Sequence, residues 1–288
     1  MGRMRPVGPT GAILAGRIEL ARRQDVNTAM HIAKGHTVSD LHLLTNRSSA
    51  GRLMPRLHCA ASDAGLFVLN GDIFDFRWSR YRRLGRSLEY AENWISRLVV
   101  RHPHCQFVFI TGNHDSLPAY ENLLTELSQR YDNLAWEPHY LRLGQKVFLH
   151  GDVRECHTPG QLAAYRARWH KPPHRRRWAH AVYFLVTWSR IPRMIHELVP
   201  TQRLATGVTN YLRLELGSAF DDVRDVYCGH THRPLTDYPW GGLRFHNTGA
   251  TIHGTRSRIQ TFTYDPADLE RALRRPGPRA AQVSALAE

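Results

Sequence analysis

Short apolar runs, each closed by a glycine or a polar cluster, recur along most of the chain: "HTVSDLHLL", "AGLFVLNGDIFD", "CQFVFITGNHD", "QKVFLHGD", "DVYCGHTH", "LRFHNTGAT" and "RIQTFTYD". The runs are short and rich in β-branched and aromatic residues, so the pattern predicts strands rather than helices. Longer stretches with apolar residues at helical spacing lie between several of them, such as "SLEYAENWISRLVVRH" and "PAYENLLTELSQRY". Strand and helix alternate early, and strands dominate later. That order predicts an α/β sandwich, sheet packed on sheet with helices outside.

One segment departs from this rhythm. Residues 155–215 have helix-like patterning and hold the dense run "YRARWHKPPHRRRWAHAVYFLVTWSRIPRMIHELVP", in which Pro172 and Pro173 would interrupt a helix. We expect an insertion there that acts as a lid on a main domain spanning 31–265. Residues 1–30 read as a basic extension, and 266–288 as a short helix followed by a loose tail.

Composition narrows the partners. With 42% hydrophobic and 22% charged residues the chain fits a soluble globular protein. An excess of 39 Lys+Arg over 25 Asp+Glu gives +14, which points to an anionic partner: nucleic acid, an acidic membrane surface or a phosphorylated small molecule. Cys59, Cys105, Cys156 and Cys228 are far apart and form no C-x-x-C pair. This argues for a reducing compartment without a zinc ribbon or a disulfide framework. The run "AILAG" near the N-terminus is too short for a signal core or a membrane span. A cytoplasmic location is expected, with peripheral contact at the inner membrane face.

The polar clusters carry the chemistry. In order they hold Asp40 and His42, Asp72, Asn113 with His114 and Asp115, His150, and His230 with His232. All fall at predicted strand C-termini, where ligands collect in α/β folds. Hard oxygen donors with imidazoles and no thiolate suit a divalent metal such as Mn, Fe or Zn. The set is too large for one ion and natural for two with a bridging carboxylate. In D-x-H and H-x-H, strand alternation would put both side chains on one side. Glycine precedes Asp72, Asn113, His230 and Asp152, permitting sharp turns and close approach. No G-x-S-x-G elbow exists to support a serine triad.

"SDLH", "GDIFD", "GNHD", "HGD" and "GHTH" resemble, in order, the motif blocks of the calcineurin-like metallophosphoesterases. The likeness spans about residues 35–262. It implies a four-layer αββα metallophosphoesterase sandwich with a helical lid insertion, and an enzyme that hydrolyses phosphoesters or diphosphates without a covalent intermediate. It also implies two divalent ions, with Mn2+ expected and Fe or Zn as alternatives. Asp40, His42 and His232 would hold the first ion, Asn113, His150 and His230 the second, and Asp72 would bridge. His114 would face the scissile phosphate, stabilising phosphoryl charge or protonating the leaving oxygen, with Asp115 orienting its ring. The paired ions would acidify a shared water for in-line attack.

Within that family the chain resembles most the UDP-2,3-diacylglucosamine diphosphatases of lipid A synthesis, through the "GHTHRP" form and the long interval between His150 and His230. In those enzymes that interval is a helical lid over an acyl chamber. Here Arg175, Arg176 and Arg177 would meet a diphosphate or anionic headgroups, and Trp178, Tyr183, Phe184 and Trp188 acyl chains. Two departures stand out: those enzymes have Arg at the His114 position, and an acidic run where this chain reads "FRWSRYRRLGR". Arg77 and Arg80 in that run are candidate binders of further phosphates. A phosphodiesterase or nuclease acting on nucleotides or nucleic acid is the alternative, and a catalytically idle, basic membrane-binding protein a third reading. Substrate and oligomeric state stay open.

Overall fold

The computed structural model describes residues 32–156, 159–170 and 200–274. The basic extension, Arg175–Arg177 with Trp178, Tyr183, Phe184 and Trp188, and the tail beyond 274 lie outside the described residues.

Two five-stranded sheets form the centre. The first contains β1 (Ala33–Val38), β2 (Leu66–Asn70), β3 (Gln106–Ile110), β4 (Leu134–Glu137) and β10 (Gln260–Tyr264). Its order is β10-β1-β2-β3-β4, parallel from β1 to β4, with β10 antiparallel at the edge. The second contains β5 (Tyr140–Leu143), β6 (Lys146–Leu149), β7 (Asp225–Cys228), β8 (Leu235–Trp240) and β9 (Leu243–Asn247). Its order is β5-β6-β7-β9-β8, with β6, β7 and β9 parallel.

Strand alternation builds the layers. Leu66, Val68, Val108, Ile110, Phe148 and Tyr227 face the seam between the sheets. Their neighbours Phe67, Leu69, Phe107 and Phe109 turn outward into a second cluster, and Val147, Leu149, Val226 and Cys228 into a third. Both faces of each central strand are therefore buried, as parallel strands require. Three helices cover the first sheet: α1 (Met54–Ser62), α2 (Leu84–Arg101) and α3 (Pro118–Arg130). α2 buries Ser87, Ala91, Ile95, Leu98 and Val99, one stripe at helical spacing. The second sheet is covered by α4 (Pro159–Ala167) and α5 (Thr201–Leu216), which fall in the stretch expected to be a lid but bury Leu162, Leu204, Val208 and Leu212 against this sheet as the outer layer of the sandwich. The four-layer αββα arrangement is the expected one. α6 (Pro266–Leu273) lies within the segment read as helix and tail, and its Leu269 packs into the inter-sheet core. No described helix is long and apolar enough to cross a membrane.

Three strands were not anticipated from the pattern: β4, β5 and β8. All lie at sheet edges, where one flank is solvated and the apolar signal is diluted. Pro239 within β8 is tolerated for the same reason.

Candidate metal centre

The parallel strands β1, β2 and β3 of one sheet and β6 and β7 of the other each run into a loop carrying predicted site residues. The β1 and β2 loops are zipped by backbone bonds: Asp40, His42 and Leu43 N–H donate to Gly71, Asp72 and Ile73 carbonyls at 3.0, 3.0 and 2.9 Å. His230 N–H donates to both Asp40 oxygens (3.2 and 3.1 Å), and His114 N–H to Asp72 Oδ1 at 2.8 Å. The carboxylates thus hold neighbouring loops while keeping lone pairs free for a cation.

The convergence does not come from strand alternation. Asp40 and His42 lie beyond the end of β1 with φ of 53° and 44°, and His230 and His232 follow β7 with 65° and 56°. Asp72 has φ 52°. This left-handed backbone is disfavoured for any residue with a Cβ, so consecutive turns rather than an extended segment aim the side chains. Glycines supply space: a Cβ at Gly71 or Gly112 would overlap the His150 ring, and one at Gly229 the Asp40 carboxylate.

Ligand atoms gather in three overlapping groups, each within 4.8 Å: Asp40, His42 and His232; His42, Asp72 and His114; Asp40, Asp72 and His150. His42 Nε2 and His232 Nε2 are 3.2 Å apart, and Asp40 Oδ1 is 3.8 and 3.3 Å from them. His150 Nε2 is 3.1 Å from Asp72 Oδ2, and its ring centroid is 5.3 Å from that of His230. Asn113, in the loop after β3, has a buried Oδ1 without a hydrogen-bond partner. Buried polar atoms without partners are rare, and a cation satisfies such donors.

Electrostatics agree with that fit. Burial lowers His42 to about 4 and His230 to about 3, keeping both neutral, the ligating form. Burial opposes charge on Asp40 and Asp72, but the surrounding imidazoles outweigh it and hold both carboxyls below their usual range. Burial also opposes charge on His150, yet Asp72 beside it drives it up to about 10, so a cation entering here displaces a proton. The donor set therefore fits hard or borderline divalent ions.

Asp115 does not orient His114. Its carboxylate accepts the N–H groups of Gly112 (2.7 Å), Ile73 (2.7 Å), Asp72 (3.3 Å) and Phe74 (3.3 Å), stapling the β2 and β3 loops together. Burial and the Asp72 charge push it up to about 7. Asp75 is the carboxylate beside the imidazoles: Oδ1 lies 3.0 Å from His114 Nδ1, and Oδ2 3.5 Å from His42 Nδ1. Arg47 donates to Asp75 Oδ2 at 2.6 Å, and Trp78 N–H to Oδ1 at 3.0 Å. Burial resists charge on His114, but Asp75 and Asp72 prevail and raise it. Asp75 ends the block "GDIFD", and its place three residues past Asp72 was the available signal.

The basic candidates are placed differently. Arg77 Nη1 donates to the Arg168 carbonyl at 2.8 Å, and its guanidinium lies 5.1 Å from the Trp169 ring. The Arg80 guanidinium sits over Tyr81 and Tyr90. Two residues with no sequence signal matter here. Arg166, 5% exposed, donates to both Asp152 oxygens (2.7 and 3.0 Å), the Thr111 carbonyl (2.9 Å) and hydroxyl (3.3 Å), and the Pro138 carbonyl (2.6 Å). This uses all its N–H donors and locks α4 to the ends of β3 and β6. Trp169, just past α4, brings its ring centroid to 4.6 Å from that of His114.

A sequence model of calcineurin-like phosphoesterases matches residues 37–234, more than half of the chain. The chain belongs to the calcineurin-like phosphoesterase family. No curated protein matches it. Family membership makes it a metal-dependent phosphoesterase, and the match embraces the loops after β1, β2, β3, β6 and β7 that bring the Asp and His side chains together.

Proposed function

We propose that this phosphoesterase uses two divalent ions to cleave a large anionic phosphoester or diphosphate, with a nucleotide-sugar lipid of the UDP-2,3-diacylglucosamine type as the substrate. The observation that carries the two-ion reading is the donor set itself. Asp40, His42 and His232 would hold one ion, Asn113, His150 and His230 the other, and Asp72, in two of the overlapping groups, would serve both. When bound, such a pair supplies an acidified water and a Lewis-acid clamp for phosphoryl oxygens.

The chain's own residues do the rest. Asp75 occupies the Nδ1 side of His114, so Nε2 is the nitrogen for the substrate. Its proton would stabilise charge on a phosphoryl oxygen or pass to the leaving oxygen. Asp115 keeps the two loops in register through the backbone rather than through the imidazole. Support for a bulky lipid substrate is the segment just past α4, whose Trp169 ring lies beside His114, together with the "GHTHRP" block. Mn2+ is the proposed metal, and peripheral contact with anionic lipid the proposed setting.

The test is turnover by Mn2+-loaded protein of bis(p-nitrophenyl) phosphate and of UDP-2,3-diacylglucosamine. Release of UMP from the second supports the lipid substrate. Turnover of the aryl diester alone would leave a phosphodiesterase and remove the lipid reading. No turnover of any phosphoester with both sites filled would sink the proposal. Flotation on vesicles with and without anionic lipid tests the membrane setting separately.

A further inference from the structure

Among the described residues, Trp169 is in none of the three apolar clusters and is partly exposed; its ring neighbours there are His114, Tyr165 and the Arg77 guanidinium. Yet it is held from both sides. Before it, the Arg168 carbonyl is tied to Arg77, on the loop after β2. After it, His170 Nε2 lies 3.3 Å from Ser116 Oγ, on the loop after β3. Its own N–H donates to the Arg166 carbonyl at 2.9 Å, and Arg166 is fixed in the core by Asp152, Thr111 and Pro138. Ordering so many groups costs conformational entropy. What the ties secure is one position for an indole ring, tilted 50° at 4.6 Å from the His114 imidazole, with the Arg77 guanidinium over it.

We propose that Trp169 is a specificity-determining residue: a fixed stacking wall beside His114 that selects phosphoesters carrying a planar ring on the phosphorus-bound group. This rests on the phosphoesterase reading above and names the class of substituent the site favours. A fixed indole offers stacking to any flat π-system without reading its hydrogen-bond pattern, so a nucleobase-like or aryl group gains and an alkyl group does not. The segment that begins the insertion thus acts as a preset wall rather than as part of a moving cover.

The test is calorimetric binding of phenylphosphonate and methylphosphonate to Mn2+-loaded wild type, Trp169→Ala and Trp169→Phe, with melting curves to confirm folding. Neither probe can be hydrolysed, so the readout is independent of turnover. Wild type should prefer the phenyl probe by about tenfold. Trp169→Ala should lose that preference while methylphosphonate binding changes by no more than about twofold, and Trp169→Phe should keep most of it. A preference unaltered in Trp169→Ala overturns the proposal. Equal tightening of both probes would show a ring that blocks the site, and equal weakening a structural role; either also overturns it. If wild type binds neither probe and cleaves no phosphoester, the phosphoesterase reading itself fails. Turnover without a ring preference defeats the wall alone.

Discussion

Asp75 Oδ1 lies 3.0 Å from His114 Nδ1, and the same carboxylate reaches His42 Nδ1 at 3.5 Å through Oδ2. One buried side chain therefore fixes the ring proposed to meet the phosphate and a ring proposed to hold a metal. Asp75→Asn should lower kcat about 10–100-fold, the usual effect of removing such a supporting carboxylate. His114→Ala should cost about 10²–10⁴-fold with metal content unchanged. Steady-state kinetics with metal analysis on the same preparations checks both.

Asp115→Asn should behave differently from Asp75→Asn. An amide nitrogen cannot accept the N–H groups that both Asp115 oxygens now take, leaving a buried donor facing donors. We expect a loss of about 1–3 kcal/mol in denaturant stability along with activity. Unchanged stability would remove the stapling role.

Arg166 and Asp152 form a buried, two-pronged ion pair. Burial opposes charge on Asp152, but the guanidinium prevails and keeps its carboxyl below the ordinary value. Arg166→Met strands that carboxylate and should cost about 3–5 kcal/mol. Arg166→Met with Asp152→Leu should recover part of the loss, which a urea double-mutant cycle would measure.

Asp225 receives Arg244 Nε at 2.8 Å and lies 3.1 Å from His246 Nε2. Burial would raise its carboxyl, but these two partners outweigh it and lower the folded-state pKa. A carboxyl depressed on folding adds stability above its unfolded value, near 3.9, and that stability fades as pH falls through the folded value. Wild type should therefore exceed Asp225→Asn in urea midpoint at pH 6. The gap should narrow once pH drops below about 4. A gap constant with pH would contradict the assignment.

Chelation should unfold the site before the core. Metal that binds only the folded chain stabilises it by about 2.7 kcal/mol at a hundred times its Kd. The melting temperature should fall on chelation and return with Mn2+. Gly112→Ala should abolish that return, because the new Cβ would occupy the space of Asp72 and His150.

The central strands β2, β3, β6 and β7 were legible because both their faces are apolar; β9 and β10 also lie within runs read as strands, and the run starting at His36 covers the second half of β1. β5 and β8 escaped notice at sheet edges, where Tyr140 and Arg142 or Thr236 and Asp237 meet solvent. Asp40, His42, Asp72, His150 and His232 were legible as a set because each ends a strand in a polar cluster. The partnership of Asp75 with His114 was not, since it depends on which way two loops turn. Arg166 had no signal at all. One arginine among many in a basic segment is marked out only by the Asp152, Thr111 and Pro138 atoms that folding brings around it.

Asp40, His42, Asp72, His230 and His232 all sit in left-handed backbone, and this makes the candidate metal centre a property of the whole sandwich. A peptide containing "SDLH" or "GHTH" would relax to ordinary dihedrals and point its side chains apart, so these motifs would chelate poorly outside this fold. The site cannot be transplanted by copying its residues; a recipient scaffold must also impose the turns.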